Sequence, residues 1–211
     1  MGRDNHPRER QARKLARKKA LRGVYERILI VCEGKKTEPL YFEEIRREYR
    51  LHTANVCVLH GEAGTCPRQI VEFAQSVFES GGRKFEKIFA VFDRDEHMRF
   101  HEAVELARSL DGKLRSDEKG RVVFAAIPSI PCFELWFLLH YREVTHDIHR
   151  ADVIRELKGY LPGYEKGQGG CFAKTRADLP TAYRNVELLA VEKCAKERSS
   201  PRPMFRHSFG C

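Results

Sequence analysis

The stretch Lys87-Ile88-Phe89-Ala90-Val91-Phe92-Asp93-Arg94-Asp95-Glu96-His97 decides how the rest of the chain is read. Ile88 to Phe92 are consecutive apolar residues, two of them aromatic, at the length of a buried strand. The run stops in a knot of carboxylates. A strand has period two, so Asp93 and Asp95 leave it on the same side with Arg94 turned away. Two like charges held that close repel each other, and a nearby cation relieves them. Carboxylate oxygens are hard ligands suited to Mg²⁺ or Mn²⁺. The alternative is a solvated acidic turn.

Working outward, similar apolar runs alternate with helical stripes. Arg27 to Cys32 reads as a first strand, broken by Glu33-Gly34. Thr37 is a natural N-cap, and Glu38 and Pro39 suit the first turn of the helix that follows. Asn55 to His60 reads as a second strand. Thr65 is the expected cap of a second helix, with Pro67 in its first turn, the stripe Ile70, Phe73, Ala74, Val77 and Phe78, and Gly81-Gly82 at its end. Phe100, Ala103, Val104, Ala107 and Leu110 mark a third helix, and Val122 to Ile127 a fourth strand closed by Pro128. Strands alternating with amphipathic helices predict a mostly parallel four-stranded α/β sheet with helices on both faces. In such sheets the working groups collect beyond the carboxyl ends of the strands. Glu33 lies at that end of the first strand, and Asp93 and Asp95 at that end of the third. If those strands are neighbours, three carboxylates converge.

Ile130 to Leu139 holds a single charged residue, Glu134, in what reads as a helix with Pro131 in its first turn. An ionised carboxylate in such surroundings is costly unless paired or bound to a metal. Glu134 is therefore a candidate ligand or catalytic acid. The bland alternative is a partner arginine or an escape to water. Val153, Ile154 and Leu157 mark a further helix, Leu161 to Gly170 is a glycine-rich loop with Tyr164 and Lys166, and Ala182 to Ala190 a last helix beginning after Pro180.

Composition narrows the function classes. The net charge of +9 is concentrated at the ends: residues 1–22 carry nine basic against two acidic side chains and residues 193–211 five against one, leaving the body slightly acidic. Such an arm suits phosphate backbones through counterion release, or is a solvated tail. No apolar run approaches a membrane span, and the basic N-terminus lacks the apolar core of a secretory signal. Seven scattered cysteines without a C-x-x-C pair fit a reducing cytoplasm. A phosphate-binding loop at Gly34 is excluded because Leu29 stands where its first glycine is needed. There is no G-x-G-x-x-G, G-x-S-x-G or H-E-x-x-H. His97 and His101 are one turn apart, but their neighbours are oxygen ligands, which argues against zinc.

Three motifs in order carry a family resemblance. They are Arg27-Ile28-Leu29-Ile30-Val31-Cys32-Glu33-Gly34 with Thr37-Glu38-Pro39 and Tyr41-Phe42; Val91-Phe92-Asp93-Arg94-Asp95 with His97; and Pro128-Ser129 with Pro131-Cys132-Phe133-Glu134-Leu135-Trp136-Phe137-Leu138-Leu139-His140. Together they resemble the RloB-like proteins, bacterial proteins of restriction and phage-defence loci that often stand beside an ATPase gene. The layout is similar to the Toprim domain of topoisomerases, primases and overcoming-lysogenization-defect nucleases. The resemblance implies a Toprim/Rossmann-like core over 25–145, preceded by a basic disordered or helical arm over 1–24. C-terminal helices over 146–198 would pack on that core, ahead of a disordered tail over 199–211. It implies a cytoplasmic nuclease acting on DNA or RNA, with abortive infection as its setting. Mg²⁺ or Mn²⁺ would be held by Glu33, Asp93, Asp95 and Glu134, and Lys166, in a Tyr-x-Lys similar to the family's, would meet a phosphate. The tail from Ser199 departs from the Asn-Pro-Ser-Thr-like motif and closing helix the resemblance leads one to expect. The alternative reading is a non-catalytic nucleic-acid- or nucleotide-binding subunit working with a partner ATPase.

Overall fold

The structure is a computed structural model that describes residues 26–53, 55–60, 66–94 and 99–199. The expected basic arm, Thr65, Asp95, His97 and residues 200–211 lie outside the described residues. Four strands form one sheet: β1 (Ile28–Cys32), β2 (Val56–His60), β3 (Lys87–Asp93) and β4 (Val123–Ser129). Every pairing is parallel and the order is β2-β1-β3-β4. The connections are helical: α1 (Thr37–Glu48), α2 (Pro67–Ser80) and α3 (Phe100–Leu110). After β4 come α4 (Glu134–Leu138), α5 (Arg150–Tyr160), α6 (Cys171–Thr175), a short 3-10 turn (Arg176–Asp178) and α7 (Leu179–Ser199). The chain is therefore an α/β protein with C-terminal helices, as the alternating pattern predicts.

Strand alternation sorts the core into two layers. Leu29 and Val31 of β1 and Ile88, Ala90 and Phe92 of β3 face α2 and α3, packing with Ile70, Phe78, Ala103 and Phe124. Cys32 and Val91 face the other way, against Tyr41 of α1, Phe133, Phe137 of α4, Leu157 of α5 and Phe172 of α6. Phe78, Phe92 and Phe124 are essentially inaccessible, and each such burial stabilises by about 1.5–3 kcal/mol. Because both faces are covered, the central strands are continuous apolar runs rather than alternating ones.

Two local expectations are corrected. β4 does not close at Pro128: Pro128 pairs in register with Phe92, and Ser129 with Asp93. This is tolerable because β4 is an edge strand, where a missing N–H leaves no ladder bond unmade. Nor does Pro131 open a helix. It follows a cis Ile130–Pro131 peptide bond, and α4 begins three residues later at Glu134. On the opposite side of β3 the expectation holds, since the Arg94 guanidinium lies 5.3 Å over the Phe100 ring, in the α2–α3 layer. Asp93, on the alternate parity, leaves the strand toward α1 and α4.

Candidate active site

In the order β2-β1-β3-β4 the chain leaves β1 toward one edge and returns to β3 on its other side. The carboxyl ends of β1 and β3 thus form the switch point, where the connecting loops part and leave a crevice. Glu33 follows β1 directly and Asp93 ends β3. The Glu33 N–H donates to the Val91 carbonyl at 2.9 Å, and its Oε2 accepts the Asp93 N–H at 3.0 Å. The two predicted acids meet, because adjacent parallel strands bring their ends together.

Glu38 joins them, and sequence reasoning missed it. As an acid in the first turn of α1 it is an ordinary complement to the helix dipole. Its carboxylate instead folds back over Gly34, so closely that a Cβ added there would stand 2.1 Å from Glu38 Oε2. Glu38 is only 6% exposed. The available signal was Gly34 itself, a glycine four residues upstream whose missing side chain makes the room.

Glu134 opens α4 and is 1% exposed. Among the described residues no arginine pairs with it, and it does not reach water. Its Oε1 accepts the Tyr164 hydroxyl at 3.3 Å and faces Lys166 Nζ at 3.8 Å, while Oε2 has no hydrogen-bond partner among the described residues. Tyr164 and Lys166 arrive on the loop between α5 and α6. Thr37 has a part in this that capping would have hidden. It is the first helical residue rather than the N-cap, and its hydroxyl accepts the Gly167 N–H at 3.1 Å.

The remaining cation, Arg150, opens α5 and was not singled out from the sequence. Its Nη2 sits 2.6 Å from Asp93 Oδ2, whereas Asp93 Oδ1 is buried without a hydrogen-bond partner among the described residues. Burial pushes the Asp93 carboxyl up to about 7; the Glu38 charge adds to this, Arg150 opposes it, Glu134 raises it again and Lys166 lowers it. The Glu38 carboxyl is likewise raised, first by burial, with Glu134 and Glu33 contributing against its own backbone N–H and Lys166. Acids whose ionisation is suppressed by burial and by one another are typical of functional clefts.

These groups line a cavity of about 410 Å³ that contains the carboxylates Glu33, Glu38 and Asp93 and the cations Lys35, Lys36, Arg150 and Lys166. A larger cavity of about 600 Å³, walled by Tyr41, Trp136, Phe172 and Tyr183, is lined by no carboxylate among the described residues. The acidic groups gather at the smaller one. Among the described residues no three His, Cys, Asp or Glu side chains form a group able to hold a metal ion. Asp95, expected to share the site, lies outside those residues. No helix among the described residues is long and apolar enough to cross a membrane.

A four-stranded parallel sheet covered by helices, with buried acids and partly exposed cations at its switch point, defines an α/β protein. Its family follows from the whole sequence: the chain belongs to the RloB-like family, whose model, described as RloB-like protein, matches residues 28–205. No curated protein and no solved structure matches the chain.

Proposed function

We propose that this protein is a divalent-metal-dependent phosphodiesterase acting on DNA or RNA, serving in bacterial phage defence. The observation that carries the reading is Asp93: a buried carboxylate at the switch point, one oxygen on Arg150, the other without a hydrogen-bond partner among the described residues, in the company of Glu33, Glu38 and Glu134. The donor type suits a hard cation. All the candidate ligands are oxygens; among the described residues two of those oxygens are buried without a hydrogen-bond partner, and Arg150 and Lys166 contact Asp93 and Glu134. Asp93 and Glu38 would hold Mg²⁺ or Mn²⁺ together with Asp95, while Glu33 fixes the end of β3 by accepting the Asp93 N–H. When bound, the ion supplies charge neutralisation at the scissile phosphate and a water of lowered pKa.

The chain's own residues account for the rest. Lys35 and Lys36, exposed at the amino end of α1, receive the phosphate backbone without regard to sequence. Arg150 neutralises Asp93 while the site is empty of substrate and is within reach of a phosphate oxygen lodged in the same cavity. The Lys166 side chain is 57% exposed with its Nζ 3.8 Å from Glu134 Oε1, so it can hold a phosphate oxygen or give a proton to the leaving oxygen. Glu134 serves by orienting Lys166 and Tyr164.

The test is incubation of pure protein with plasmid, single-stranded DNA and tRNA in Mg²⁺, Mn²⁺ or chelator. Cleavage is expected only with a divalent ion, and Asp93→Asn or Glu33→Gln should abolish it. Cleavage that survives both substitutions, or that needs no divalent ion, refutes the assignment. A second reading, a non-catalytic nucleic-acid- or nucleotide-binding subunit beside a partner ATPase, is favoured by one observation: Arg150 already occupies Asp93 Oδ2. Retention of nucleic acid that depends on residues 1–22, with no cleavage by either form, would decide for it.

A further inference from the structure

Lys166 presents a problem of placement. It lies on a ten-residue loop, Leu161 to Gly170, in which Gly163, Gly167 and Gly170 all have positive φ, at +77°, +78° and +86°. Such a segment has much backbone freedom to lose. The contact between Lys166 Nζ and Glu134 cannot supply the order, because a 3.8 Å ion pair to a lysine 57% exposed is weak. Leu161 and Tyr164 anchor the start of the loop in the core, and beyond Tyr164 the fastening comes from α1. Glu44, near the middle of that helix, turns its carboxylate to the far end of the loop. There Oε1 accepts the Gly170 N–H and Oε2 accepts the Phe172 N–H at 2.9 Å. These are charge-assisted bonds to the orphan donors at the start of α6, made across more than 120 residues of chain. About two turns earlier, Thr37 Oγ1 accepts the Gly167 N–H. Gly167 itself is pressed against α1's approach, since a Cβ there would stand 2.9 Å from Lys36 Cβ.

We infer that Glu44 is a positioning residue for Lys166: with Thr37 it fastens the Leu161–Gly170 loop to α1, so that the Lys166 ammonium and the Tyr164 hydroxyl meet Glu134. The inference rests on the proposal that this cluster cleaves phosphodiesters. Glu44 lies outside the cavity that holds the acids, so it acts through the loop and not on the substrate. One helix thereby carries both halves of the site. Its first turn supplies Glu38 among the acids, and its first three turns hold the loop that supplies the cation.

The experiment compares Glu44→Ala and Glu44→Gln in the full chain, alone and combined with Lys166→Ala. With Glu44→Ala, kcat should fall about 10- to 100-fold, the scale of a small misplacement of a catalytic group, with KM changed less than about threefold. Glu44→Gln keeps one carbonyl acceptor and should fall between the two. In the Lys166→Ala background Glu44→Ala should cost nothing further; an equal loss in both backgrounds overturns the inference, since a merely structural role would produce it. A readout independent of cleavage is amide exchange at Gly167, Gly170 and Phe172, which should quicken in both Glu44 variants while the strands stay protected. Unchanged exchange there overturns the positioning role. If the wild-type protein cleaves nothing, the phosphodiesterase reading fails separately, and exchange alone decides on the loop.

Discussion

Asp93→Asn should make the protein more stable while removing its activity, and the gain should depend on pH in a particular way. In the folded chain the Asp93 carboxyl is held up to about 7 against an ordinary value of 3.8. Below pH 4 it is neutral folded and unfolded alike, and it contributes nothing. Between pH 4 and 7 the folded protein keeps a proton that the unfolded chain releases, so stability falls as pH rises, by about 1.4 kcal/mol per unit. Above 7 both states are ionised and the penalty is constant. From pH 5 to pH 8 the wild type should therefore lose between about 2 and 3 kcal/mol relative to Asp93→Asn, nearly all of it below pH 7. Asparagine preserves the shape, and its carbonyl can still accept from Arg150 Nη2. Arg150 is 36% exposed and can find water for the charge it no longer neutralises. For a chain of this size that change widens the Tm gap between variant and wild type by about 4–12 °C from pH 5 to pH 8. Urea unfolding in chelator at pH 5, 6, 7 and 8 measures it, as the difference between variant and wild type so that other titrations cancel. A difference that does not grow with pH, or a variant less stable than wild type at pH 8, refutes the account of Asp93 as an ionised group buried against its preference among Glu33, Glu38 and Glu134.

Two further substitutions separate the site from the scaffold. Gly34→Ala places a methyl where Glu38 Oε2 and Cδ lie, at 2.1 and 2.7 Å. The obstacle is the end of a flexible side chain, so the fold should survive with Tm within a few degrees, while cleavage falls by about 100-fold as Glu38 leaves the cluster; full activity would show that Glu38 is not needed there. Arg27→Met removes the guanidinium that donates to Glu86 Oε1 at 2.9 Å and Asp117 Oδ2 at 3.0 Å beside the amino end of β1. Stability in urea should drop by about 1–2 kcal/mol with kcat unchanged, and a loss of activity without a loss of stability would contradict the placement.

How much of this was legible before the structure depends on whether a residue's task is local. Ile28 to Cys32 and Lys87 to Phe92 read as strands because strands covered on both faces are apolar at every position. Asp93 followed from period two alone. Strand order was not legible, since crossover connections of this length can return to either side of β1, and only the order β2-β1-β3-β4 makes Glu33 and Asp93 neighbours. Residues with a respectable local reading were the ones misjudged or passed over. Thr37 has the chemistry of a cap but spends its hydroxyl on Gly167. Glu38 fits a helix dipole but lies over Gly34. Glu44 and Arg150 sit unremarkably on amphipathic helices, and only the tertiary contacts with Gly170, Phe172 and Asp93 give them a role.

The same reasoning says why Glu134 was found and Arg150 was not. A lone acid in an apolar run violates a local expectation, so its cost demands a partner wherever the chain goes. An arginine opening an amphipathic helix violates nothing. Yet the two are complementary in the folded protein: Glu134 holds a lysine that half faces water, and Asp93 is held by an arginine that does the same. Each of these two acids, Asp93 and Glu134, keeps one oxygen beside a cation and one without a hydrogen-bond partner among the described residues. An apolar core gains nothing from that arrangement, because an unpartnered buried carboxylate oxygen costs stability that a leucine would not. The same costly device recurs on β3 and α4, and Lys166 links the two, lining the cavity with Asp93 while pairing with Glu134; that is the strongest physical reason to look for the chemistry there.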